Sequence, residues 1–339
     1  MAKFSEISLD SFGLVEIEKL VPPKETLDKL VKEFQGDLRG ENKNNLKFIK
    51  YVVSLIKKDN LKLPVLPKIA NKILELSYDE NSTFNDYANI IRSDSSIALK
   101  VIKLANSPMY RGLRNVNDIE IAMSRIGVDG IHELVFSNSL KSIIFKNKKY
   151  QKHIQEIWMN SLITALIASK VAKELKLNSS IIYTTALVHK LGSVLIFDII
   201  NDFNKDADFI DYLHDDFALR IGLPFNKRLT VNILEKWGFN KKQVNSVKNY
   251  DISPVVVAEL EHKILYLSQI TAGALDVIML DYDEDSIFPY TFMLREASLE
   301  MDVNIFKEIV EDSLSFYNSF LRYLYSWVNT LRFLISFRG

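Results

Sequence analysis

Leu63-Pro64-Val65-Leu66-Pro67-Lys68-Ile69-Ala70-Asn71-Lys72-Ile73-Leu74-Glu75-Leu76-Ser77 sets the fold class. The two prolines fix φ at a helix entrance. Leu66, Ile69, Ala70, Ile73, Leu74 and Ser77 then recur at the i, i+3, i+4, i+7 spacing of one amphipathic face. The same period continues downstream. Thr83-Phe84-Asn85-Asp86 reads as an N-cap with an acidic partner three residues on. Ser95 opens a helix with Ile97, Ala98, Val101, Ile102 and Ala105 on its inner side, and Asn106-Ser107-Pro108 stops it, since Pro108 neither donates nor fits a continuing turn. Ile119, Ala122, Met123 and Ile126 form a stripe ended by Gly127, with Asp129 as the cap of the next helix. A long pattern runs from Ile154 through Trp158, Leu162, Ala165, Ser169 and Ala172 to Leu175. Ser253-Pro254 starts a helix over Val255–Leu280. Strand signals are nearly absent, so the expected fold is all-α, a multi-helix bundle with an additional C-terminal helical segment.

Outside this bundle, residues 1–60 read as an N-terminal helical extension, too short for a separate domain of ordinary size. Pro22-Pro23 interrupts it, Lys43-Asn44-Asn45 is loop-like, and Leu46, Ile49, Val53 and Ile56 make a short amphipathic helix. The bundle itself spans 61–280, and an acidic hinge, Asp281-Tyr282-Asp283-Glu284-Asp285, leads into an aromatic-rich helical tail over 281–339. Within the bundle, Lys146-Asn147-Lys148-Lys149 reads as a basic loop, 201–224 as a polar loop-like stretch, and Trp237-Gly238 as the end of a short helix.

Composition excludes several chemistries. With 47% apolar residues among 339 the chain can bury a substantial core. Lys plus Arg equals Asp plus Glu at 43 each, which gives no general pull toward nucleic acid or acidic membranes. There is no cysteine, so disulfides, thiolate metal sites and cysteine nucleophiles are ruled out. The opening Met1-Ala2-Lys3-Phe4-Ser5-Glu6-Ile7 lacks a secretory apolar region, and no run approaches the roughly 18 uninterrupted apolar residues of a membrane span. A cytoplasmic protein is expected. No glycine loop suited to phosphate and no nucleophile elbow is present.

Leu63-Pro64-Val65-Leu66-Pro67, Ser93-Asp94 and Leu104-Ala105-Asn106-Ser107-Pro108 occur in an order and spacing that resemble the signature of the HDOD family. Ile119-Glu120-Ile121-Ala122, Ile126-Gly127 and Trp158-Met159-Asn160-Ser161 fit the same pattern, and the likeness covers approximately 60–270. Read without the family, Pro64, Pro67, Asp94, Ala105, Asn106, Ser107 and Pro108 are helix punctuation, with Asn106 and Ser107 suited to satisfying groups at a helix end.

HDOD domains are similar to the HD phosphohydrolases, metal-dependent enzymes for cyclic dinucleotides and other phosphate esters, whose ligands are several His and Asp residues. The resemblance implies where those ligands would stand. At the first His position stands Asn160, and the His-Asp doublet is replaced by His189-Lys190, closing the helical run Ile181–Gly192. The later positions hold Asn226 and the pair Tyr250-Asp251. An ammonium has no lone pair to offer a cation and repels it by about 4 kcal/mol at 4 Å and an effective dielectric of 20. His189 is the matched ligand that remains, with Asp251 a distant second, whereas a divalent ion needs several converging donors. No metal, no cofactor and no catalytic residue is expected. On its helix His189 groups with Ile182, Ala186 and Ser193, as a core histidine bonded to a neighbour such as Asn160. His132, His153, His214 and His262 form no ligand group.

The reading is a non-catalytic signalling or regulatory module of a bacterial cytoplasm that acts through protein contacts. Many relatives carry a receiver or cyclic-dinucleotide domain on the same chain; here an input would come from a separate protein or a small ligand. Two alternatives stay open: a metal-dependent phosphohydrolase with unorthodox ligands, and a nucleotide sensor in which Lys190 pairs with a phosphate. The tail is free of acidic residues from 313 onward and lines up Phe316, Phe320, Leu324, Trp327 and Leu331, suiting a helix docked on the bundle, or a homodimer or partner interface. Membrane attachment fits it least, because its polar face is weakly cationic. The basic stretch Lys141–Lys152 reads as a solvated face rather than a nucleic-acid site.

Overall fold

The computed structural model describes residues 43–58, 60–107, 110, 112, 114–205, 215–250, 259–281 and 288–315. Among them are helices and no strand. In chain order these are α1 (Lys43–Lys57), α2 (Lys68–Tyr78), α3 (Phe84–Arg92), α4 (Ser95–Ala105), α5 (Ile119–Ile144), α6 (Gln151–Glu174), α7 (Ser179–Val188), α8 (Leu191–Lys205), α9 (Asp215–Lys236), α10 (Lys241–Asn249), α11 (Leu260–Asp281) and α12 (Phe288–Glu296). A further helical run begins at residue 303. The all-α expectation holds.

The chain divides into two compact units built from interleaved segments: Met1–Leu66, Lys141–Met159 and Val188–His262 in one, and Pro67–Leu140, Asn160–Leu187 and Lys263–Gly339 in the other. In the first unit, α1 buries Phe48, Ile49, Val52, Val53 and Ile56. Phe203, near the end of α8, meets Phe48 edge-on at 5.2 Å and Tyr51 at 5.3 Å. The start of α8 touches α9 main chain to main chain: a Cβ on Gly192 would lie 2.2 Å from the carbonyl oxygen of Asn226. Glycine is required there because nothing larger fits between the two backbones. Gly238, at φ +75°, ends α9 in the left-handed conformation. Trp237, just before it, donates its indole N–H to the carbonyl of Pro64 at 2.8 Å.

In the second unit, Asp86 receives both the backbone N–H and the hydroxyl of Thr83, at 2.8 and 2.7 Å, which fixes the start of α3 as its sequence requires. Asp94 caps α4 by accepting from the N–H groups of Ser96 and Ile97. α5 bends at Gly127 (φ 81°, ψ 161°), where the sequence pattern breaks. Its second half carries polar groups into the core. His132 is fully buried, 2.8 Å from the Thr184 hydroxyl, and Ser169 donates to Glu133 at 2.6 Å. Asp129, expected as a cap, spends its carboxylate on Lys173 at 2.6 Å and on Ser180.

Several expectations are corrected. Lys43-Asn44-Asn45 is the first turn of α1 rather than a loop, since the buried stripe that follows overrides weak local propensity. The stretch 201–224 is helical at 201–205 and from Asp215 onward, the aromatic anchor of Phe203 prolonging α8. The helix before Trp237 is not short but spans 22 residues. Ser253-Pro254, the hinge from Tyr282 to Asp285, and the tail residues Phe316, Phe320, Leu324, Trp327 and Leu331 lie outside the described residues.

Candidate functional site

His189-Lys190 forms the turn between α7 and α8, so Ile182 and Ala186 belong to one helix and Ser193 to the next. The sequence grouping of these residues on one helix face is thereby corrected: α7 ends at Val188 and α8 begins at Leu191, so the first N–H groups of α8 lack partners one turn back in their own helix. Two of them are met from α9, that of Ser193 being shared with the Lys190 carbonyl at 3.1 Å. The N–H of Gly192 donates to the Thr230 hydroxyl at 2.8 Å, and the N–H of Ser193 to the side-chain oxygen of Asn226 at 2.9 Å. The other end of the Asn226 amide donates to the carbonyl of His189 at 3.1 Å and to the phenol oxygen of Tyr250 at 3.0 Å. The Thr230 hydroxyl also lies within 3.2 Å of the Asn226 oxygen and 3.4 Å of the His189 carbonyl.

Asn226 is 1% exposed, and these contacts employ both of its N–H groups and both lone pairs of its oxygen. It serves as a helix cap supplied from a neighbouring helix. The His189 ring is fully buried and stands edge-on to Tyr250, centroids 5.5 Å apart at 81°. Tyr250 follows α10 and is 7% exposed. Lys227, 5% exposed, places its ammonium 6.0 Å from the Tyr250 ring. Lys190 is partly exposed, and burial draws its ammonium down to about 8. The first unit thus brings His189, Lys190, Asn226 and Tyr250 together, and the sequence missed Gly192, Lys227 and Thr230 beside them. Thr230, one turn beyond Asn226 on the same helix, was the legible one. Asn160 belongs to the other unit, where its carbonyl accepts from Thr164 at 2.7 Å. Asp251 lies outside the described residues. Among the described residues no three His, Asp or Glu side chains converge on a metal-sized point.

The signature residues hold helix ends. Pro64 supplies the acceptor for Trp237, and Pro67 occupies the N-cap position of α2 with its carbonyl accepting from Asn71 at 2.9 Å. Asn106 reaches past the end of α4: its amide donates to the carbonyl of Val116 at 2.7 Å and accepts the Val116 N–H at 2.9 Å, closing the intervening loop. Ala105 is fully buried and offers its carbonyl to Arg125, whose other nitrogen reaches the carbonyl of Arg114. Ser107 continues the turn, donating its N–H to Leu104 and accepting from Tyr110. Pro108 lies outside the described residues.

An all-helical bundle with this punctuation and a ligand-poor His-Lys turn defines the class. The sequence matches the HDOD domain over residues 63–252, and the chain belongs to the HDOD family. No curated protein matches it. Solved structures share the fold. A candidate metal-dependent phosphohydrolase from Shewanella amazonensis superposes with a TM-score of 0.56 at 18% identity, over 80% of this chain and 99% of its own. An HDOD domain protein of unknown function from Geobacter sulfurreducens gives 0.55 at 18% identity, over 78% and 95%. A candidate signal transduction protein from Marinobacter aquaeolei gives 0.55 at 18% identity, over 82% and 65%.

Proposed function

We propose that this protein is a non-catalytic regulatory module of bacterial signalling, working in the cytoplasm through protein contacts of its HDOD domain. The observation that carries the reading is Asn226. At a position where the family resemblance implies a histidine ligand, the side chain is engaged on every polar atom by the start of α8 and by Tyr250. Lysine at 190 places a cation where a carboxylate would neutralise one. The Marinobacter neighbour, described as a signal transduction protein, supports the signalling half of the reading. The test has two arms on full-length protein purified without chelators. Metal analysis and assays on cyclic dinucleotides and bis(p-nitrophenyl) phosphate are expected to give no stoichiometric metal and no turnover. Capture from native cytoplasm is expected to return a specific protein partner. Retained iron or manganese with hydrolysis would overturn the non-catalytic half, and capture of nothing specific would overturn the scaffold half.

A second reading is favoured by one observation: Lys190 stands partly exposed in the turn beside His189, where an ammonium can meet a phosphate as a point charge. In that case the turn senses a nucleotide without hydrolysing it. Unchanged nucleotide binding in Lys190→Ala rejects this alternative.

A further inference from the structure

Lys62, Lys146, Lys148, Lys149 and Lys205 are scattered over the sequence, yet all line one cavity of about 780 Å³ in the first unit. The stretch 146–149 reads in sequence as a solvated basic loop, but the fold anchors it. Asn147 is 6% exposed and donates to Asp198 at 3.1 Å. Tyr150 is 1% exposed and stacks on Phe197 with centroids 4.7 Å apart. Lys146 and Lys148 are thus exposed amines on a fixed base, and Lys149 leans over the Tyr150 ring at 5.0 Å.

The facing wall is α8. Asp202 takes Lys205 at 2.8 Å and Lys62 at 3.9 Å, and Asp198 takes Asn147. Five lysines against two carboxylates leave an excess of three positive charges in the cavity (5 − 2), on a chain whose total charge is zero. The same lining carries apolar side chains: Tyr51, Leu55 and Leu61, with Leu195 and Ile199 each 7% exposed. A volume in the range of about 300–1,000 Å³ with convergent polar groups beside apolar side chains suits a small molecule. A nucleic-acid surface would instead extend its positive charge along a face.

We propose that this cavity binds a small phosphorylated molecule of the nucleoside-phosphate class, its phosphates among the lysines and its body against Leu195, Ile199 and Tyr51. Ammonium groups serve phosphate as point charges, and exposed amines make such binding sensitive to salt. The site is separate from the His189-Lys190 turn, so the inference stands whether or not the regulatory reading does.

The experiment is calorimetry on the full chain at low salt with tripolyphosphate, ATP and adenosine. Tripolyphosphate should bind, ATP should bind more tightly, and adenosine should give no heat. Lys146→Glu with Lys148→Glu should weaken ATP at least tenfold with the melting temperature unchanged, since both side chains are exposed. Lys190→Ala should leave ATP binding in place, which separates this site from a nucleotide held at the turn. Absence of heat with both tripolyphosphate and ATP would overturn the proposal. So would ATP affinity that survives the double reversal, or ATP no tighter than tripolyphosphate, which would remove the role of the apolar side chains.

Discussion

Asn226→Ala is the most direct test of the helix-end staple. Truncation removes four contacts at once: those to the Ser193 N–H, the Tyr250 phenol, the His189 carbonyl and the Thr230 hydroxyl. The His189 carbonyl keeps Thr230 within 3.4 Å, and the Thr230 hydroxyl keeps Gly192. The Ser193 N–H keeps the Lys190 carbonyl at 3.1 Å, so the variant loses the net worth of the Asn226 bonds and not a fully orphaned donor. A buried hydrogen bond is worth about 0.5–1.5 kcal/mol net, so the loss of four contacts should cost roughly 2–4 kcal/mol, a large share of the 5–15 kcal/mol that holds a typical domain. Urea unfolding followed by circular dichroism should show the midpoint falling with the slope retained. Asn226→His sharpens the test. A neutral imidazole has one donor and one acceptor and serves at most two of the four contacts, so this variant should also lose stability, by about 2 kcal/mol, and bind no metal. A loss below about 1 kcal/mol for the alanine variant would refute the staple. Stoichiometric iron or manganese on the histidine variant would refute the claim that the site is committed to structure.

Two glycines should respond oppositely in scale. Gly192→Ala drives a Cβ to 2.2 Å from the Asn226 carbonyl oxygen and should cost several kcal/mol or prevent folding, read as melting temperature or soluble yield. Gly127→Ala meets nothing within 4 Å and pays for its extended positive-φ backbone (φ 81°, ψ 161°), about 1–3 kcal/mol by the same assay. Trp237→Phe leaves the Pro64 carbonyl without its indole donor and should cost about 1–2 kcal/mol, seen in urea unfolding. At Glu133, burial raises the carboxyl from 4.5 to about 7. The sign follows: the folded protein holds this proton more tightly than the unfolded chain, so the stability it contributes is complete below 4.5 and lost as pH rises through 7. Its neighbour His132, lowered to about 4 by burial, has the opposite slope, so the informative quantity is a difference. Glu133→Gln should gain on the wild type between pH 5 and pH 8 by at most about 3 kcal/mol. Parallel stability curves for the two proteins would refute the assignment.

The helices were legible because their information is local. Thr83 with Asp86 fixes a start, Gly127 and Trp237-Gly238 fix a bend and an end, and the apolar stripes of α2 and α4 carry the period between. Where local cues misled, a long-range contact had overruled them: Phe203 against Phe48 and Tyr51 extends α8 through a stretch that is polar by composition. The resemblance located His189, Lys190, Asn226 and Tyr250, but not what they do. The amide of Asn226 acts on backbone groups more than thirty positions away, and that pairing depends on α8 and α9 touching at Gly192. The lysine cavity was equally invisible, since Lys62, Lys146 and Lys205 share no helix face and meet only in the folded unit.

The turn at 189–190 places its own demands on the residues around it. A helix that begins directly after a sharp turn leaves orphaned N–H groups, and buried ones must be met whether or not a cation sits nearby. Asn226 and Thr230 meet them here. Gly192 lets their helix approach closely enough to do so, and Tyr250 closes the far side of the amide. Each of these residues is held by a hydrogen bond or a close contact with a neighbour. A single added carboxylate at Lys190 would therefore leave Asn226 still engaged. Lys190→Asp alone should bind no metal, and measurable stoichiometric metal in that variant would show that the surrounding shell had kept its capacity to coordinate.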